Sequence, residues 1–393
     1  MMLGGLCRPE LATAVVSGVA SDPLDAQRIG TTARLKVVLK GPHDQVPQWI
    51  SSHLMLSYVH FDRCFCLPEL PESFGNLRAL TVLRLDTCPA MTKLLDSMGQ
   101  LMALQELEVH HCVALTELPE SLGQIAALRK LDVKFCDALS RLPESLGQLT
   151  SLTRLDVRAC KLLTRLPESL GQLSAMTTLK LVSCHSLLEL PASVGQLAAL
   201  TMLDLSNCRA LTALPESLGQ LAALEKLDLG RCDSLTALPE SLGQLKALKT
   251  LDLSRCETVT RLPESLGQLA ALEILDLEWC SALTRLPESL GQLGALMELD
   301  LSNVYRLERL PISMAFLPDD LEAHLDYMSD LAFPPLRVVS KGMPSVRAFL
   351  LLCNHQLKML LLIMTSKRRR RMRRPPPEIW HFIYHEFVVD HQE

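Results

Sequence analysis

Aromatic side chains are scarce: Phe, Tyr and Trp together make up 4% of the 393 residues. A compact enzyme of this length usually packs its core around such rings, so this core must be leucine, alanine and valine. Asparagine is also rare (Asn76, Asn207, Asn303 and Asn354), and none opens an Asn-x-Ser/Thr acceptor for sugar. No G-x-x-x-x-G-K-[S/T] phosphate loop occurs, nor any G-x-S-x-G or H-E-x-x-H signature. The apolar N-terminal stretch is broken by Arg8, Pro9 and Glu10, so it does not read as an export leader. With 48% apolar and 21% charged residues the chain is too apolar to be disordered, and 18 glycines are far too few for collagen. These absences point to a reduced, intracellular, non-catalytic protein.

The formal charge is −5, but Lys367 to Arg374 alone contributes seven positive charges and leaves the remainder at −12. An acidic body with one basic segment does not have the footprint of a nucleic-acid binder, and no nucleic-acid partner is expected.

What is present is a repeat. Leu-Pro-Glu-Ser-Leu-Gly-Gln-Leu starts at Leu142, Leu166, Leu214, Leu238, Leu262 and Leu286, always 24 residues apart or a multiple of it. Near-copies start at Leu70, Leu118 and Leu190, and weaker ones at Leu94 and Leu310. Within Leu248–Leu272, Leu251 and Leu253 flank a polar residue as in a short half-buried strand. Pro263 suits the first residue of a helical or 3₁₀ turn, and Gly267 should loosen that turn. One unit is therefore a strand, a turn and a short helical return. No unit can bury its leucines alone; stacked units bury them against each other.

The pattern L-x-x-L-x-L-x-x-C, with its L-P-x-x-L-G-x-L continuation, resembles the leucine-rich repeat family. The continuation looks like the intracellular repeats of plant disease-resistance proteins and of Ras-group leucine-rich repeat proteins. The resemblance covers Leu56 to Pro311. It implies an α/β fold, a leucine-rich repeat solenoid of about 11–12 units with a concave parallel sheet and short helical or 3₁₀ returns. It also implies protein recognition in signalling or immunity-like sensing. The missing phosphate loop removes the nucleotide switch of resistance proteins. The expected division is a tail or cap over 1–31, the array over 32–311, a cap and amphipathic helix over 312–365, a basic and proline-rich linker over 366–377 and a short helix over 378–393.

Ten cysteines, from Cys64 to Cys280, recur at one repeat position. Equivalent Cβ atoms on parallel strands lie about 4.8 Å apart and point the same way, which suits neither a disulfide nor a tetrahedral zinc site. They read as buried structural thiols. Neither His110-His111 nor the pair His381 and His385 has a third ligand beside it. No metal and no cofactor is expected.

One column of the sheet face reads His60, Arg84, Glu108, Asp132, Asp156, Lys180, Asp204, Asp228, Asp252, Asp276 and Asp300. It should face solvent. Either neighbouring cations neutralise it, or it forms an acidic groove for a basic partner. Where units differ, exposed aromatic and Arg residues are the natural anchors. The candidate partner-binding set is Phe135, Asp156, Arg158, Asp204, Asp228, Arg231, Asp252, Arg255, Asp276 and Trp279.

Ala348 to Met364 is leucine-rich but carries Asn354, His355, Gln356 and Lys358 near its middle. The cost of the central Lys about cancels the gain from its apolar residues, which favours an amphipathic helix over a membrane span. The basic residues Lys367, Arg368, Arg369, Arg370, Arg371, Arg373 and Arg374 read as a solvated linker, a nuclear-import signal or a contact with an anionic membrane surface. After them, Pro377, Glu378, Ile379, Ile383 and Phe387 resemble the opening of an F-box, which would dock a ubiquitin-ligase adaptor. The function read from the sequence is a cytoplasmic, non-catalytic protein-recognition module. A substrate receptor of a ubiquitin ligase and a membrane-peripheral scaffold are the alternatives.

Overall fold

The computed structural model describes residues 13–17, 35–41 and 45–365. The chain divides into two compact units, residues 1–233 and 234–393, and each is taken by itself.

The first unit contains ten parallel strands in sequence order. They are β1 (Thr13–Ser17), β2 (Leu35–Lys40), β3 (Leu56–Asp62), β4 (Val82–Asp86), β5 (Glu106–His110), β6 (Lys130–Lys134), β7 (Arg154–Arg158), β8 (Thr178–Lys180), β9 (Met202–Asp204) and β10 (Lys226–Asp228). From β3 onward the register is 24 residues per strand, so like residues stack: Leu107 pairs with Leu131, and Leu131 with Leu155. A short helix, α1 (Gln48–Ser52), lies between β2 and β3. Strand alternation sends Leu131 and Val133 into the core, both fully buried, and sets Asp132 on the opposite face.

The second unit repeats the plan with β11 (Thr250–Asp252), β12 (Ile274–Asp276), β13 (Glu298–Asp300) and β14 (Glu322–His324). The sequence resemblance ends at Pro311, yet β14 pairs in register with β13. Ala323 stands there against Leu299, so the backbone period outlives the leucine pattern that announced it. Two helices follow, α2 (Leu336–Val339) and α3 (Met343–Thr365). Met343, Val346, Leu350 and Cys353 form the buried stripe of α3 at helical spacing. Its Arg347 guanidinium donates to the carbonyl of Leu317 at 2.8 Å and also engages Pro318 and Asp319, which fastens the helix to the preceding repeat. Among the described residues no helix is long and apolar enough to cross a membrane.

The returns are five-residue 3₁₀ turns such as Glu168–Gln172 and Glu264–Gln268. Proline sits one residue before the turn rather than in it, except at Asp96–Gln100, where Leu95 takes its place. Pro263 has extended angles (φ −69°, ψ 147°), and its carbonyl accepts the N–H of Leu266. Two further features come from stacking. The Glu120 carboxylate accepts the backbone N–H groups of Glu144 and Ser145 in the next repeat, at 3.2 and 2.9 Å, and Glu72 and Glu264 do the same one repeat on, so these returns are capped from outside. The glycine of each return faces the next unit closely: a Cβ on Gly171 would lie 2.6 Å from the Ser193 carbonyl oxygen. Glycine is required there by the approach of the neighbouring backbone, not by a need to loosen the turn.

Candidate recognition surface

The strands carry three columns of side chains on the face opposite the core. On β5–β7 the central column is Glu108, Asp132 and Asp156. The solvated ladder expected from the sequence does not exist here: Asp132 is 2% exposed and Asp156 is fully buried. Cations from the two flanking columns, and Arg84 from the central column itself, fold over them. Lys130 and Arg84 reach Glu108 at 2.6 and 3.0 Å. Lys134 reaches Asp132 at 3.0 Å. Asp156 receives Arg158 at 2.6 Å and Arg154 at 3.0 Å. Burial by itself would raise the Asp156 pKa, but the Arg158 hydrogen bond and the charges of Lys134 and Arg154 outweigh it and hold the carboxyl below its ordinary value. Asp156 therefore ties β7 to β6 through Lys134 at 3.5 Å, and Arg158 is spent on it.

The same column on β11–β13 behaves differently. Asp252, Asp276 and Asp300 stand in register, each half-buried. Each accepts a backbone N–H two residues on, from Ser254, Glu278 and Ser302 at 2.8, 2.9 and 2.7 Å. Among the described residues none of the three makes an ion pair with Lys or Arg. Burial, aided by the charges of Asp252 and Asp300 on either side, pushes the Asp276 carboxyl up to about 6. Arg255 follows Asp252 in sequence but lies over the Trp279 ring, 5.4 Å from its centroid. In the first unit, Asp204 accepts the Ser206 hydroxyl at 2.7 Å, and Lys226 is 4.0 Å from Asp228.

Phe135, Arg231, Arg255 and Trp279 share a backbone feature that the sequence pattern did not reveal. One residue per repeat, from Arg63 to Tyr327, adopts a left-handed conformation with φ between 52° and 63°, and none of them is glycine. The strain is held by stacking. The Phe135 N–H donates to the Arg158 carbonyl at 2.8 Å and the Trp279 N–H to that of Ser302 at 2.9 Å, each one unit on. Phe135 is 45% exposed and stacks on His111 with ring centroids 4.5 Å apart. Trp279 is half-buried against Tyr305 and donates its indole N–H to Glu278. Arg231 is exposed.

Directly after that residue come the ladder cysteines, all ten fully buried with free thiols. Cys184 and Cys208 donate to carbonyls 27 residues back, at 3.4 and 3.1 Å. Burial pushes the Cys184 thiol up to about 12 and that of Cys280 well above its usual value. Cys184 and Cys280 are therefore protonated and inert. A recess of about 140 Å³ is lined by Glu120, Arg141, Leu142, Glu144, Arg165, Leu166 and Pro167, with no nucleophile beside a base. The basic run Lys367–Arg374, the histidines His381 and His385, and the F-box-like residues Pro377, Glu378, Ile379, Ile383 and Phe387 lie outside the described residues.

The family model described as "Leucine-rich repeat region" matches residues 73–186 and 145–257. With strand, cysteine turn and 3₁₀ return recurring every 24 residues, the chain is a leucine-rich repeat protein. No curated protein matches it by sequence. Among solved structures, a leucine-rich repeat protein of Leptospira interrogans is similar at 23% identity over 80% of this chain and 89% of that one, with a TM-score of 0.46. The leucine-rich repeat domain of the type III effector XopL shares 23% identity over 72% of this chain and 73% of its own, with a TM-score of 0.37. A TDR receptor is 20% identical over 79% of this chain and 58% of that one, with a TM-score of 0.49.

Proposed function

We propose that the chain is a non-catalytic protein-recognition module that holds a basic partner on the sheet face of β11–β13, in an intracellular signalling or immune-type sensing role. One observation carries the reading. The acids of β5–β7 are already neutralised by Lys and Arg of the same sheet, whereas Asp252, Asp276 and Asp300 have no Lys or Arg ion pair among the described residues. Three like charges at a strand spacing of about 4.8 Å gain most from a cation supplied from outside. Arg255 and Trp279 stand at the edge of this stripe and offer a stacked anchor of the type that dominates interface energies. The ten buried free thiols suit a reducing compartment.

The test is affinity capture of partners by the full chain, with Asp252, Asp276 and Asp300 all changed to Asn in one variant. A control carries Gln at the exposed Glu189, Glu257 and Glu308. Basic partners retained by the control, released at 1 M salt and lost with the Asn variant are the expected result. An identical partner set with the Asn variant overturns the reading.

A further inference from the structure

On the first unit, His60 and Asp62 lie two residues apart on β3 and so point to the same face. Asp86 on β4 stands in register beside Asp62. One ligand atom from each of the three lies within 4.8 Å of the other two. Among the described residues this is the one such group of three His, Cys, Asp or Glu side chains. All three are half-buried on adjacent paired strands, so their backbones are rigid.

Among the described residues the cations that reach this pair of carboxylates are exposed ones on Asp62, unlike the cations folded over Asp156. Arg84, in register with His60, is turned away: it pairs with Glu108 at 3.0 Å and lies over the Tyr58 ring. Lys40 reaches Asp62 at 3.2 Å, but its side chain is 50% exposed, and a surface pair of this kind contributes only about 0–1 kcal/mol. Arg63 is 73% exposed and 3.7 Å from Asp62. Asp86 accepts the Thr87 hydroxyl on one oxygen at 3.0 Å and keeps the other free of that bond.

We propose that His60, Asp62 and Asp86 bind a divalent transition-metal ion of the zinc class. One imidazole nitrogen with two carboxylate oxygens is a donor set for Zn²⁺ or Co²⁺ rather than for Ca²⁺, which takes six to eight oxygens. Ligand bonds of about 2.0–2.2 Å put neighbouring donors roughly 3.4 Å apart, so the three side chains close by up to about 1.4 Å through χ rotations alone. Three protein ligands leave a fourth position for water or for a side chain of a bound protein. This site lies on β3–β4 and is independent of the acidic stripe on β11–β13.

The test is a calorimetric titration of the full chain with Zn²⁺, and a Co²⁺ titration followed by absorption. Both are done in a Cys66→Ser background, because Cys66 is an exposed free thiol four residues after Asp62 in sequence. One equivalent should bind with micromolar or tighter affinity, and the Co²⁺ spectrum should lack a thiolate charge-transfer band. His60→Ala and Asp86→Asn should each weaken binding tenfold or more. Asp86→Asn is isosteric, so it decides the matter if His60→Ala fails to fold. Three results overturn the proposal: no saturable binding of either ion, affinity unchanged in the variants, or a strong thiolate band. Binding that survives both variants and is lost on replacing His381 and His385 also overturns it.

Discussion

Gly171→Ala and Gly294→Ala make the same chemical change in two different surroundings. A Cβ on Gly171 meets the Ser193 carbonyl oxygen at 2.6 Å and the Ser193 Cβ at 2.8 Å, where ordinary contact begins near 3.4 Å. The returns Glu168–Gln172 and Ala192–Gln196 must then separate by 0.6–0.8 Å, and both obstacles are rigid. Overpacking of this kind costs about 1–3 kcal/mol. Restricting the unfolded chain returns about 0.4–1 kcal/mol, so the net loss is about 0–2.6 kcal/mol, centred on about 1.3. Gly294 has nothing within 4 Å of its would-be Cβ, and Ala198, Ala222 and Ala270 already occupy that repeat position. Its replacement should be neutral or stabilising by up to about 1 kcal/mol. Circular-dichroism melts and urea titrations read both, compared by midpoint because repeat arrays need not unfold in two states. Gly171→Ala should lower the thermal midpoint by a few degrees. A midpoint at or above wild type, or equal shifts in the two variants, would refute the close-approach argument.

Two further predictions concern ionisation and thiols. The folded-state pKa of Asp276, about 6, lies above its ordinary value of 3.8, so the native state binds the extra proton between those values. The stability this supplies is present below pH 4 and is lost as pH rises through 6. Asp276→Asn should therefore raise the melting midpoint at pH 7.5 and have little effect at pH 4; an equal effect at both would show that the carboxyl is not strained. With the thiol reagent DTNB, the native protein should react at Cys66, while the ten ladder thiols and Cys353 wait for denaturant. Fast native labelling of the ladder would mean that the strands open locally.

The 24-residue period, the strand over Leu251 and Leu253, the buried cysteine turn and the short return were all legible in the sequence. Each follows from local rules: alternation of side chains across a strand, the fixed φ of proline, and the inability of one unit to bury its own leucines. What stacking brings together was not legible. The same aspartate recurs at 132, 156, 252, 276 and 300, yet the first two are buried beneath Lys and Arg while the last three lack such ion pairs among the described residues. The difference depends on which rotamers neighbouring strands allow their cations. The left-handed residue before each cysteine and the glutamate that caps the next return likewise have partners 23 to 25 residues away. His60, Asp62 and Asp86 look like ordinary surface residues until strand register sets Asp86 beside Asp62. Period and core were thus determined within a single unit, whereas burial of charge and convergence of ligands were decided only by the contact of one unit with the next.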